Sequence, residues 1–317
     1  VVNTDKKALS ISPVPIHLQL GEEGLGAGNK PEKGRQIAEE SVEDIRNMLD
    51  DGTKMAFITA GMGGGTGTGA APVVARCAKE KGILTVGIVT IPFAWEGNSK
   101  IDQALDGVDA MAKNVDALIV INNERLRQIY TELGLFNGFE KANDTLCVAA
   151  KSIAEIITTS GYVGLDFQDV KTILKDGGVA LISTGYGEGE GRVSHAINEA
   201  LDSPLLHNNS VYDSKKVLLS ITTPPKDDPY EMRMEEMAEI HEFMSKFENS
   251  KLETKWGITT DDTLGKKIKV TILAAGFGVD DIDEMKAHHD KMTEEERRLN
   301  EELEAEKALR REKIYDP

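Results

Sequence analysis

The stretch Gly61-Met62-Gly63-Gly64-Gly65-Thr66-Gly67-Thr68-Gly69 packs six glycines and two threonines into nine residues. The apolar run Met55 to Ala60 before it reads as a buried strand, and Ala70-Ala71-Pro72-Val73-Val74-Ala75 after it reads as the first turns of a helix. Strand, glycine loop and helix start together make a phosphate cradle. Glycine lets backbone approach an anion at φ > 0, and the unpaired N–H groups and dipole of the helix start favour negative charge. Pro72 fits near a helix start, where its missing N–H costs nothing. A Rossmann fingerprint fails on the letters: counting from Gly61 and Gly63, the third glycine position is Thr66. A P-loop fails too, because no lysine lies in or directly after the loop. The cradle is therefore amides and hydroxyls, and a phosphate chain there calls for Mg²⁺ to balance its charge. A ligand-free surface loop is the alternative, and so many glycines on so tight a strand-to-helix turn argue against it.

Other residues carry weaker signals. Asp166 and Asp169 stand three apart at a predicted helix start, which sets both carboxylates near one face and near the positive end of the dipole. Both should be ionised at neutral pH, and by itself Asp166 reads as an N-cap. Glu96 follows a strand end in Pro92-Phe93-Ala94-Trp95-Glu96-Gly97 and by itself reads as a solvated loop carboxylate. Gly185 to Gly191 is a second glycine-rich stretch, but its two glutamates make it a poor phosphate cradle, so an exposed loop is expected. The six histidines show no metal spacing, and His288-His289 in the polar tail reads as exposed. No Ser-His-Asp or Cys-His constellation emerges, and no metal-ligating set is expected.

These residues need a scaffold. Ala38 to Leu49 reads as an amphipathic helix with Ser41 and Asp44 as local caps. Met55 to Ala60, a helix over Ala70 to Glu80 and a strand over Ile83 to Ile91 form one βαβ unit, and Asp116 to Asn122 is a further buried strand. The pattern predicts an α/β, Rossmann-like parallel sheet with helices on both faces, its ligand at the carboxyl ends of the strands. Ala142 to Thr159 reads as a long helix, apolar nearly all round and buried between two bodies. Beyond it come a helix after Asp169, strands at Val179 to Ser183, Lys216 to Thr222, Glu253 to Ile258 and Ile268 to Ala274, and a helix at Val193 to Leu201. So few crossover helices predict a smaller α+β domain with a mixed sheet. Asp227 to Phe247 reads as a loop and a Met-rich helix whose methionines pack a core. The tail from Val279 to Pro317 is dense in Glu, Lys and Arg and reads as a solvated helix or linker, with Thr293 and Glu296 spaced as a capping box.

Composition bounds the function. The 317 residues suffice for two domains, and 40% hydrophobic with 29% charged residues is that of a soluble globular chain. A net charge of −17 disfavours sequence-independent binding to nucleic acid or an anionic membrane. No apolar run is long enough for direct membrane insertion and no signal peptide opens the chain. Cys77 and Cys147 each sit in an apolar helical pattern, which predicts buried free thiols and a cytoplasmic setting.

The run Ile58 to Pro72 closely resembles the FtsZ family of bacterial cell-division GTPases, relatives of tubulin. Asn3-Thr4-Asp5, Gly24-Leu25-Gly26-Ala27-Gly28, Pro31-Glu32-Lys33-Gly34-Arg35, Leu165 to Thr172, Ser203-Pro204-Leu205-Leu206 and Ala275-Gly276-Phe277 continue the resemblance in order, over Val1 to about Gly278. It implies the tubulin/FtsZ fold: a nucleotide-binding domain over 1–141, a central helix over 142–160, an α+β domain over 161–278 and a charged tail over 279–317. It implies GTP or GDP and Mg²⁺ held by Gly63, Gly64, Gly65, Thr66, Gly67, Thr68 and Gly69, with Ala27 and Gly28 sensing the γ-phosphate. Glu96 would bond the ribose, Lys100 would contact the nucleotide, and Asn123, Phe139 and Asn143 would recognise the base, Phe139 by stacking. Asp166 and Asp169 would enter the site of the next subunit and act on the attacking water. The implied role is a homopolymer, a head-to-tail filament in the division ring at mid-cell, with the tail available to membrane adaptors and division proteins. No such adaptor peptide is matched at Lys313 to Pro317.

The sequence also departs from the family. The family's opening strand and a further phosphate-gripping glycine loop would precede Val1, so weak nucleotide binding and an exposed sheet edge are expected. Lys100 replaces the usual arginine, keeping the charge but losing the planar fork. Gly164 replaces an asparagine, and Thr223-Pro224-Pro225-Lys226 replaces a more typical turn. These departures leave a second reading, a non-hydrolysing scaffold of the same fold. A third, a dinucleotide-dependent enzyme, conflicts with the failed glycine count.

Overall fold

Leu84–Ile91 is buried at every position, and its two faces serve different cores: Leu84, Val86 and Ile88 point into one, Val89 and Ile91 into another. A strand buried on both faces belongs inside a sheet covered by helices. The computed structural model describes residues 1–132, 134–159, 161–203, 211–247 and 252–294. Its first part runs β1 (Val2–Asn3), α1 (Lys6–Ser10), β2 (Leu18–Gln19), α2 (Pro31–Glu40), α3 (Val42–Met48), β3 (Met55–Gly61), α4 (Gly65–Glu80), β4 (Leu84–Ile91), α5 (Asn98–Asn114), β5 (Ala117–Asn122) and α6 (Asn123–Ile129). Then follow α7 (Leu135–Thr158), β6 (Gly161–Val163), α8 (Phe167–Leu174), β7 (Gly178–Gly187), α9 (Arg192–Leu201), β8 (Lys216–Thr223), α10 (Met237–Ser245), β9 (Glu253–Thr260) and β10 (Ile268–Phe277). A last helix, α11, covers 283–294.

One eight-stranded sheet has the order β3-β4-β5-β7-β10-β8-β9-β6. β3, β4, β5 and β7 are parallel neighbours, whereas β10 is antiparallel to both β7 and β8. The expected parallel and mixed halves thus join at β5 and β7, through the register Ala117↔Gly178 and Leu118↔Val179. α7 and α8 cover one face through Ala149, Ile153, Val170 and Ile173. α5 covers the opposite face through Leu105, Val108 and Met111. Among the described residues β3 pairs with β4 alone. Its other side faces a groove of about 560 Å³ bounded in part by Val1, Val2 and Asn3.

Several boundaries differ from the sequence reading. The helix expected over Ala38 to Leu49 is two: α2 ends at Glu40 because the Ser41 hydroxyl donates to the Ile37 carbonyl (2.9 Å) and accepts from the Gly21 amide (2.9 Å). Ser41 therefore bends the chain instead of capping α3. α7 starts at Leu135, before the apolar run, and only one side of it is buried. Val148 is exposed on its outer side, as is Cys147; Cys77 alone of the two cysteines is buried. The second glycine stretch is strand as far as Gly187, because Gly185 and Gly187 let β7 touch the backbone of α9. Met232, Met237 and Met244 pack a core as expected, while Met234 is exposed.

The tail reading changes most. Residues 279–294 are not a solvated linker: α11 lies along α5, and Met285 is fully buried among Met62, Leu105, Val108 and Met111. His288 is buried, with Nε2 3.0 Å from Asp106 Oδ1, and His289 lies between Asp109 (2.7 Å) and Asp280. Pro204 to Leu206, Glu296 and Lys313 to Pro317 lie outside the described residues. Among the described residues no helix is long and apolar enough to cross a membrane.

Hydrogen bonds to Asp109 and Asp280 raise the His289 imidazole above its ordinary value. A raised folded value means that this contact stabilises fully below the ordinary histidine value of about 6.5, and that the contribution fades as pH rises through the shifted one. An NMR titration should therefore place the His289 midpoint above the ordinary value in wild type and lower it in Asp109→Asn. A wild-type midpoint at or below the ordinary value would contradict the described clamp.

Candidate functional site

The glycine loop lies where the sequence places it, at the carboxyl end of β3 beside β4, but the helix begins sooner. α4 starts at Gly65 with Gly64 as N-cap, so Gly65, Gly67 and Gly69 are helical and Pro72 is an interior residue of the helix. Their lack of side chains serves packing. A Cβ on Gly65 would lie 2.7 Å from the Ala27 Cβ, one on Gly69 would lie 2.7 Å from the Arg35 amide nitrogen, and one on Gly67 would collide with the Gly61 carbonyl. The turn itself needs Gly63, whose φ is +93° and whose Cβ would stand 2.8 Å from the Lys100 carbonyl. The Gly63 amide donates to the Thr68 hydroxyl (2.8 Å), and the Thr66 hydroxyl bonds that of Thr4 (2.7 Å). These bonds fix the start of α4, whose first four amides have no intrahelical carbonyl to bond, the kind of helix start that favours an anion. Ala27 is buried against it, and Gly28, with φ +58°, has open space around its α-carbon.

A second group gathers at the ends of β4 and β5. Glu96 closes a single 3₁₀ turn, its carboxylate accepting from the Phe93 amide (2.9 Å) and pairing with Lys100. The two lie together and hold each other. Asn123 opens α6; its side chain is buried and its Oδ1 has no partner among the described residues. A buried carbonyl oxygen without a donor is costly, and a ligand N–H would satisfy it. Phe139 and Asn143 are one turn apart on α7, both exposed. Asn143 is thus in the body of a helix, not at its start. Phe139 makes edge contacts with Phe93 (5.3 Å) and Trp95 (5.9 Å), leaving ring area open to a planar ligand. The sequence reading missed two braces. Asn122 caps α6 by accepting from the Glu124 amide (2.9 Å), and Glu124 accepts from the Ala94 amide (3.0 Å), tying the Glu96 loop to α6. An Asn-Asn pair after an apolar strand is an N-cap signal that was available.

Asp166 and Asp169 are elsewhere. Asp166 caps α8, accepting from the amides of Gln168 (2.7 Å) and Asp169 (3.0 Å), and Asp169 accepts in return from the Asp166 amide (3.1 Å). Asp169 Oδ1 also lies 2.9 Å from Lys255 Nζ on β9. That ammonium, then the Asp166 amide, holds the Asp169 carboxyl below the usual aspartate range, so it is ionised at neutral pH. A Cβ on Gly164 would meet no atom within 4 Å, so the residue leaves open space beside this pair. Five strands separate β3 from β9. At about 4.8 Å per strand the acids stand roughly 25–30 Å from the glycine loop, and one chain does not bring them together.

With this geometry in view, residues 1–131 match the Tubulin/FtsZ family, GTPase domain, and residues 178–278 match the FtsZ family, C-terminal domain. The chain is 57% identical to the cell division protein FtsZ of Porphyromonas gingivalis over 88% of its own length and 61% of that protein's. It therefore spans about three fifths of that relative. Against the cell division protein FtsZ of Coxiella burnetii it is 41% identical, covering 87% of this chain and 71% of that one. The structure of an empty FtsZ dimer from M. jannaschii superposes with a TM-score of 0.76 at 36% identity, covering 87% of this chain and 79% of that one. The α/β architecture described above is the tubulin/FtsZ fold.

The Lys255–Asp169 pair gives a direct test. Lys255→Met should raise the Asp169 carboxyl midpoint, followed by NMR, toward the ordinary aspartate value. Because the folded value is depressed, the pair stabilises above the ordinary value of about 3.9 and loses that contribution as pH falls through the shifted one. An unchanged midpoint in the variant would contradict the assignment of Lys255.

Proposed function

The chain belongs to the FtsZ family, and from that premise we propose that it binds GTP at the start of α4, hydrolyses it, and polymerises head to tail into filaments of the bacterial division ring at mid-cell. The observation that carries this reading is the separation of two half-sites. A phosphate cradle lies near one edge of the sheet, and a pair of carboxylates, Asp166 and Asp169, held by a reciprocal capping box lies near the other. Head-to-tail stacking sets the Asp166 and Asp169 of one chain against the nucleotide of the next, and the dimeric FtsZ structure from M. jannaschii supports such self-assembly.

In this reading the α4 amides and the hydroxyls of Thr66 and Thr68 hold the phosphates, with Ala27 and Gly28 beside the γ-phosphate. Glu96 takes the ribose, Lys100 lends charge, and Asn123, Phe139 and Asn143 take the guanine. Mg²⁺, carried on the phosphates, would neutralise charge that no loop lysine can. The two carboxylates orient a water in line with the γ-phosphate, a task of placement and electrostatics. The capping box and Lys255 keep Asp169 ionised and fixed for it. The charged tail is available to membrane adaptors and division proteins.

A second reading, assembly without hydrolysis, draws on the Glu96–Lys100 pair, whose two members engage each other. Hydrolysis separates the two. With GTP and Mg²⁺, turnover per chain should rise steeply with protein concentration, and Asp169→Ala should lower it by about two orders of magnitude or more while light scattering still reports assembly. Assembly with no phosphate release in wild type would support the scaffold. Turnover independent of concentration would contradict a site shared between chains.

A further inference from the structure

α11 lies beyond the segments that match the family, yet it reaches the base end of the candidate nucleotide site. Glu284, at its start, accepts through Oε1 from Asn122 Nδ2 (2.7 Å) and from Arg125 Nε (3.3 Å) and Nη2 (3.2 Å). Asn122 is therefore held at both ends of its carboxamide. Its oxygen caps α6 and its nitrogen is tied to Glu284. The next residue is Asn123, whose buried Oδ1 has no partner among the described residues. An N-cap fixes the first turn of a helix, and α6 is only seven residues long, so its aim depends on that turn. α11 itself is anchored from several sides. Met285 is in the core, His288 and His289 meet Asp106, Asp109 and Asp280, and Lys291 lies 3.2 Å from Asp102. The far end of the second half of the chain thus sets a carboxylate on the cap of the helix that presents Asn123.

We propose that Glu284 is a positioning residue for base recognition: through Asn122 it fixes the start of α6, and so aims the Asn123 carboxamide at the purine edge. The proposal rests on the reading that a purine nucleotide binds at Asn123. Glu284 touches no ligand in this account, and its effect belongs to base selection and not to the grip on phosphate. A strap that selects the base in this way also lets any displacement of α11 from α5 change nucleotide affinity.

The test measures GDP and ADP affinity by titration calorimetry, and amide hydrogen exchange of the nucleotide-free chain, for wild type, Glu284→Ala and Glu284→Gln. Glu284→Ala should weaken GDP about tenfold, the loss expected of one buried polar contact, while ADP affinity stays within about twofold. Amides 124–129 should exchange faster in the same variant. Glu284→Gln keeps an acceptor for Asn122 and should recover most of the GDP affinity. Thermal unfolding of each variant separates these effects from loss of fold, since a general destabilisation lowers GDP and ADP binding together. A wild-type GDP-to-ADP ratio in Glu284→Ala, or unchanged exchange over α6, overturns the proposal while leaving the nucleotide reading intact. A wild-type chain that binds no GDP overturns the nucleotide reading itself and the role of Glu284 with it.

Discussion

Much in this structure depends on how closely α4 approaches its neighbours. A helix that carries glycine at Gly65, Gly67 and Gly69 is intrinsically poor, each glycine costing about 1 kcal/mol relative to alanine. Here that cost is offset by contact: α2 lies against α4 at Gly34 and Gly69, the Ala27–Lys30 turn against Gly65, and the end of β3 against Gly67. These approaches bring the Ala27–Gly28 turn to the free amides of the helix start. The same glycines that look like a phosphate motif are therefore also a packing motif. The Thr66 hydroxyl also bonds that of Thr4 and the Thr68 hydroxyl accepts from the Gly63 amide, holding the helix start in place before any ligand arrives.

The parts most legible in the sequence were those with a strong local cause. The βαβ unit around the glycine loop, the buried strand before Asn122 and the Asp166–Asp169 helix start are each written in contiguous residues and appear with small shifts at their ends. The misreadings share one origin, tertiary contact. The start of α4 moved to Gly65 because neighbouring backbone fills the space beside its glycines. The helix break at Ser41 depends on the distant Gly21 amide. α7 looked apolar all round, yet the sheet and α8 cover only one side of it. His288 and His289 looked solvated because their partners Asp106 and Asp109 stand some 180 residues away in sequence. The separation of the acids from the cradle was implied by the family resemblance and not by residue spacing; strand order supplies its physical basis.

The net charge of −17 makes any unpaired carboxylate easy to find, yet the functional candidates are all engaged. Glu96 holds Lys100, Asp169 holds Lys255, and Glu284 holds Arg125. Pairing holds each acid in place, which suits groups that position other atoms, and at Asp169 the Lys255 ammonium also keeps the carboxyl below the usual aspartate range. The cradle itself offers amides and no side-chain cation. An anion bound there is met by a helix start, and its remaining charge must be answered from outside the loop.

The most direct test of this account is a crystal structure of the chain with GDP. The account predicts the diphosphate against the amides at the start of α4 and the purine beside Phe139, with its edge bonded to the buried Oδ1 of Asn123. Diphosphate density elsewhere, or an Asn123 oxygen still without a donor in a fully occupied complex, would contradict it.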